Sequence, residues 1–139
     1  MNIIVTDNGF TTDDWYGDFY EVENLPETAE NVGIELPGDA DLNRLTGHLH
    51  RFTMVRVTFP SFADGRGFTV ARLLRMMGYQ GRLRATGQLI SDQYAMARRS
   101  GFDEIEISSD LAQRQPENEW LFRAEWQQND YQQRLGRIY

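Results

Sequence analysis

The sequence predicts an α/β protein: one domain whose mostly parallel sheet has four to five strands built from βα units. Three observations carry this. Short apolar runs rich in β-branched and aromatic residues alternate with helix-spaced apolar patterns between residues 52 and 107. Glycines fall where such elements end, at Gly78, Gly87 and Gly101. A chain of 139 residues without an internal repeat suits one core. The expected division is an irregular acidic, aromatic segment (1–31), a βα core (32–110) and a C-terminal helix and tail (111–139) within the single domain 1–139.

In order, residues 3–5 read as a short strand and Asp7-Asn8-Gly9 as a turn. Asp13, Asp14, Trp15, Tyr16 and Phe19 follow. Such a stretch is either an arm for a basic partner or a loop or edge strand whose aromatics fold back on the core. Residues 32–36 form a strand ended by Pro37-Gly38, and Leu42, Leu45 and Leu49 stand at helical spacing after an acidic start. Val55, Val57 and Phe59 make the next strand, and Pro60 stops it. A helix over 69–77 closes at Gly78, and residues 83–87 are a brief strand. A helix over about 91–99 carries two arginines in its last turn, before Gly101. Phe102, Ile105 and Ile107 complete the series, and helices separating parallel strands imply right-handed crossovers. The sheet order stays open between a doubly wound sheet and a half-barrel of βα units. Polar helices are expected at 111–115 and from 118 to about 128, parted by Pro116, with a tail that packs on the domain or reaches a second subunit.

Composition removes several chemistries. No cysteine is present, which excludes disulfides, thiolate nucleophiles and cysteine-ligated metals. All 14 basic residues are arginine, so Schiff-base lysines and a P-loop lysine are absent. Against them stand 21 acids and a net charge of −7, which opposes non-specific nucleic-acid or anionic-membrane binding. The N-terminus lacks a secretion signal and no apolar run reaches the roughly 18 to 20 residues of a membrane span, so a cytoplasmic protein is expected. Residues 1–50 hold eleven acids and one arginine; residues 51–99 hold nine arginines and two acids.

The sharpest candidate site is the turn Ser61-Phe62-Ala63-Asp64-Gly65-Arg66-Gly67-Phe68 between a strand and a helix. Free N–H groups and a helix dipole meet there, which suits an anion. Ligands of open α/β sheets lie at the carboxyl ends of the strands, where the loops after Phe59, Thr86 and Ile107 should share a rim. The anion-binding set is Asp64, Gly65, Arg66, Gly67, Arg84, Gly87 and Gln93, with Asp92 as the one candidate acid or base. The plain alternative stands beside it: Asp64 caps the helix, the glycines permit positive φ, and Arg66 pairs with Asp92. The third glycine of a dinucleotide fingerprint is missing. His48 and His50 lack a third metal ligand nearby, and no serine sits in a nucleophile elbow. Glu104 and Glu106 alternate with Ile105 and Ile107, which makes them a solvent-facing pair or, less simply, a general base or hard-metal pair. No cofactor and no metal are assigned.

The run from Phe59 to Phe68, with Ala71-Arg72-Leu73-Leu74-Arg75, Gly81-Arg82-Leu83-Arg84-Ala85-Thr86-Gly87, Asp92-Gln93 and Arg99-Ser100-Gly101-Phe102-Asp103, resembles the bacterial family called domain of unknown function number 934. The match covers roughly residues 36–108. Members are described as oxidoreductases involved in sulfite reduction, being encoded beside assimilatory sulfite reductase. The resemblance implies a pathway rather than a reaction. Two functions are expected from it. One is an accessory protein of assimilatory sulfite reduction that docks on the reductase or its electron donor, or binds a small oxyanion, through an arginine-rich rim. The other is an oxidoreductase-type enzyme holding a borrowed cofactor or anionic substrate at Gly65 to Gly67. A homodimer that covers a sheet edge is expected as well.

Overall fold

A computed structural model describes residues 2–127. β1 (Asn2–Thr6) and β2 (Gly9–Thr11) form a hairpin, with Gly9 at φ +107° where its turn demands it. Then come β3 (Phe19–Glu21), β4 (Val32–Leu36), β5 (Phe52–Phe59), α1 (Arg66–Met76), β6 (Arg82–Gly87), α2 (Tyr94–Ser100), β7 (Glu104–Ser108), α3 (Ser109–Arg114) and α4 (Glu117–Phe122). The helix expected around Leu42 to Leu49 is instead two 3-10 turns, Leu42–Leu45 and Leu49–Arg51, separated by Gly47 at φ +82°. A third 3-10 turn, Ser91–Gln93, leads into α2.

One seven-stranded mixed sheet has the order β2-β1-β7-β6-β5-β4-β3. Pairs from β3 through β7 are parallel, while β1 runs antiparallel to β7 and β2 antiparallel to β1. The expected α/β architecture with mostly parallel strands holds from β3 through β7, and the expected four to five strands are corrected to seven in a mixed sheet. Two three-residue edge strands carry too few residues to show alternation, and the N-terminal hairpin, whose Asp7-Asn8-Gly9 turn the sequence shows but whose second strand it does not, adds antiparallel pairing. Strands β3 to β7 lie side by side in chain order, so there is no switch point, and successive right-handed crossovers place the helices on one face. Of the two orders left open, this is the half-barrel-like one.

Alternation sorts the sheet into two faces. Val55, Val57 and Phe59 of β5, Leu83 and Ala85 of β6, Ile105 and Ile107 of β7 and Val5 of β1 join the buried side chains of α1, α2 and α4 in one cluster. Trp120 is buried there edge-on to Tyr94, its indole N–H bonded to the Gln115 carbonyl at 2.9 Å. The opposite face carries Arg56, Arg82, Arg84, Glu104 and Glu106. The sequence reading made Glu104 and Glu106 solvent-facing, and this is corrected: they are 5% and 6% exposed. The cause is the N-terminal segment, residues 12–18, which lies over that face. The tail beyond residue 127, assigned above to the domain or a second subunit, lies outside the described residues.

Candidate functional site

The strands β5, β6 and β7 end at one edge, and the turn between β5 and α1 opens there. Residues 61–63, Gly65 and Arg66 are exposed, whereas Gly67 is buried. Gly65 is the N-cap at φ −88°, so positive φ is not the reason for glycine at that position. Gly67 is glycine because a Cβ there would enter the Phe59 ring, which lets α1 sit close to β5. The edge is clipped together by Gln93: its Nε2 donates to the Phe62 carbonyl at 2.7 Å, and its Oε1 accepts from the Ile90 N–H at 3.1 Å. The Gln88 N–H donates to the Phe59 carbonyl at 2.9 Å beside Gly87, whose φ is +113°. Gln93 therefore joins two loops rather than facing Arg66.

The chain supplies its own anion to this turn. Asp64 Oδ1 accepts from the Arg66 N–H at 3.1 Å and from Nε at 3.0 Å, and Oδ2 accepts from Nη2 at 2.7 Å. The Arg66 side chain, then its backbone N–H, holds the Asp64 carboxyl at about 2, well below the usual carboxylate range. Arg66 does not pair with Asp92, which corrects one reading above. Asp92 instead meets Arg123 at 2.7 Å in an exposed pair. The arginine fork binds bidentately, as foreseen for a ligand, but to a neighbour two residues away.

Arg84 stands elsewhere. It is fully buried on the inner face, with Nε on Glu104 at 2.6 Å, Nη1 on Glu106 at 3.0 Å, and Nη1 and Nη2 on the two oxygens of Asp13 at 3.1 and 3.0 Å. Its placement on the rim is corrected: in β6 it alternates with Leu83 and Ala85, which face the helices. Arg82 bridges Glu104 and Asp14, and Arg56 bridges Glu35 at 3.1 Å and Glu106 at 3.2 Å. Burial pulls the Arg84 charge down, but Asp13 and Glu104 outweigh it and the guanidinium is held more firmly charged. Sequence reasoning missed Arg56, Arg82, Glu35, Asp13 and Asp14 as one group. A signal was available, because β6 reads Arg-Leu-Arg-Ala and β7 reads Glu-Ile-Glu-Ile. That is complementary charge at period two on neighbouring strands.

The rest of the carboxyl edge is acidic. A cleft of about 640 Å³ beyond β3, β4 and β5 is lined by Glu21, Glu23, Glu35, Asp39 and Asp41, with Arg44 as the one cation among the described residues there. A smaller pocket of about 290 Å³ lies past β6 and β7, where Arg114 has no partner among the described residues. His48 and His50 are exposed, and no group of three or more potential metal ligands comes together among the described residues. No described helix is long and apolar enough to cross a membrane.

Several residues of the resemblance prove to be a clasp at the opposite edge. Arg75 donates to the Gly101 carbonyl at 3.0 and 2.8 Å, to those of Tyr79 and Gly81 at 3.0 and 2.8 Å, and to Asp103 at 3.0 Å. Asp103 in turn accepts from the Leu83 N–H at 2.9 Å. Their role on this geometry is to join the end of α1 to the starts of β6 and β7. No curated protein matches the chain. Residues 33–137, which hold the parallel strands from β4 onward, both edges and the clasp, match the family described as "Bacterial protein of unknown function (DUF934)", and the chain belongs to that family.

Proposed function

We propose that the chain is an accessory protein that docks on a larger partner through the outer surface of its helical layer. Assimilatory sulfite reduction is the pathway its family resemblance implies, with the reductase or its electron donor as partner. The observation carrying this reading is the composition of that surface. Met76 and Phe122 are 76% and 74% exposed, and Met96, Leu73 and Met77 are exposed with them. Among the described residues, Arg72 of α1 has no partner, and Arg99 of α2 donates to the Trp126 carbonyl at 3.2 Å. Methionine, aromatics and arginine are the residues enriched in protein interfaces, and methionine adapts its shape to what it meets. A groove of about 630 Å³ between α2 and α4 gives that surface relief.

Arg72 and Arg99 on that apolar surface make acidic side chains the expected complement on the partner, so association should weaken as salt rises. The acidic carboxyl-edge cleft faces elsewhere and supplies the opposite sign. The test is sedimentation of the purified chain with purified sulfite reductase, and separately with its electron donor, at micromolar concentrations. A complex lost in the double variant Arg72→Glu/Arg99→Glu, with the far-UV spectrum unchanged, supports the reading. No complex with either protein, or one indifferent to that variant, removes it.

A further inference from the structure

Residues 12–18 connect β2 and β3, which are the two outermost strands of the sheet. This segment is a strap that crosses the face opposite the helices, where Asp13 meets Arg84 and Asp14 meets Arg82. Six of its seven residues are exposed, and Tyr16 is 94% exposed. Only Trp15 tucks in, against Phe19 at a centroid distance of 5.6 Å. The strap is thus held mostly by its two carboxylates.

We propose that the strap is displaceable and that Arg84 with Arg82 forms a binding site for a small dianionic oxyanion, which takes the place of the Asp13 and Asp14 carboxylates. Three features of the face carry this. First, Arg84 spends Nε and one contact of Nη1 on Glu104 and Glu106, leaving its outer Nη1/Nη2 fork to the two oxygens of Asp13. That bidentate geometry is the one by which arginine holds carboxylate, phosphate or sulfate.

Second, the charges balance only without the strap. The guanidiniums of Arg56, Arg82 and Arg84 are matched one for one by Glu35, Glu104 and Glu106. Asp13 and Asp14 then add two negative charges, so a dianion can replace them with no change in the charge of the cluster. Third, two buried N–H donors, Trp15 Nε1 in the strap and Arg56 Nε beneath it, have no acceptor among the described residues. They belong to one assembly, because Arg56 lies 3.8 Å above the Phe19 ring that Trp15 packs against. An oxyanion carries more acceptor lone pairs than the chelated carboxylates have to spare. This site lies on the other face of the sheet from the docking surface proposed above and does not depend on it.

The test is calorimetry of inorganic sulfate and of inorganic phosphate with the whole chain, unmodified and as Asp13→Asn/Asp14→Asn. Freed of intramolecular competition, the double variant should bind at least about tenfold more tightly. The Trp15 indole N–H resonance, assigned with Trp15→Phe, should shift on titration, and Arg82→Gln in the same background should reverse the gain. Equal affinity in the two proteins, binding to neither, or binding without a shift of the Trp15 signal overturns the proposal. Should the double variant not fold, the same indole resonance is followed in the unmodified protein as sulfate or phosphate is raised. A saturable shift absent from Arg82→Gln supports the site, and no shift, or one kept in Arg82→Gln, overturns it.

Discussion

The same strands present two unlike faces, and each has its own cover. Toward the helices, Val55, Leu83 and Ile105 contribute through area removed from water, a term that is non-directional and tolerant of small shifts. Toward the strap, Arg56, Arg84 and Glu106 contribute through directed bonds that must first offset the desolvation of each ion. The first face is closed by four helices with their own hydrogen bonds, and the second by seven residues without regular structure. A buried ionic layer is weak evidence of stability, but it specifies what may lie on it. The face closed by directed bonds under an irregular cover is the one suited to exchange that cover.

The largest effects should separate the faces by what repairs them. Arg84→Ala leaves Glu104 and Glu106 buried without their shared cation and should cost about 3–5 kcal/mol in urea unfolding. Adding Glu106→Gln, which removes the one carboxylate then in excess and leaves Arg82 on Glu104 and Arg56 on Glu35, should restore part of it. Leu74→Ala, beneath α1, should cost a comparable 2–5 kcal/mol or so, with no charge change able to rescue it. Failure of Glu106→Gln to rescue Arg84→Ala would break the contrast.

Next comes Gly67→Ala, which pushes α1 off the Phe59 ring and should cost about 1–3 kcal/mol, read as a lowered melting temperature. The strap carboxylates are less constrained: Asp13→Asn/Asp14→Asn should cost no more than about 1 kcal/mol at neutral pH, since both are partly exposed.

That small term has a defined pH window. For Asp13, burial pushes the carboxyl up, but the Arg84 hydrogen bonds outweigh it and leave it lowered; for Asp14, the hydrogen bond from Arg82 leads and also lowers it. Each group then adds stability above its unfolded value near 3.9, and the gain is lost as pH falls through the folded values. The stability gap between the unmodified chain and the Asn pair should thus close on acidification below about pH 4. A gap constant from pH 7 to 3, measured by urea titration, would mean that the strap is not held by charge.

The smallest effect concerns the rim. Asp64 should titrate near 2 by NMR and move toward about 3.9 in Arg66→Ala, with a change in unfolding too small to resolve.

The core helices and parallel strands were legible because each bears a period that its burial requires. Leu74, Val70 and Phe68 follow the helical spacing, and Val55, Val57 and Phe59 the strand spacing. Edge strand β3 was not, because three residues show no period. The rim was placed by topology, yet Arg66 took Asp64 as partner rather than Asp92. Two residues of separation keep Asp64 at hand at little entropic cost, whereas Asp92 found Arg123 near the end of the described chain.

By itself the sequence determined which chemistries are closed to this protein, which side chains alternate, and where glycine must stand, since these depend on composition and local geometry alone. Only the tertiary structure decided what lies over Glu104 and Glu106. Alternation says that two faces differ but not which of them meets water, and a strap drawn from the opposite edges of the sheet buries charges that local rules leave exposed.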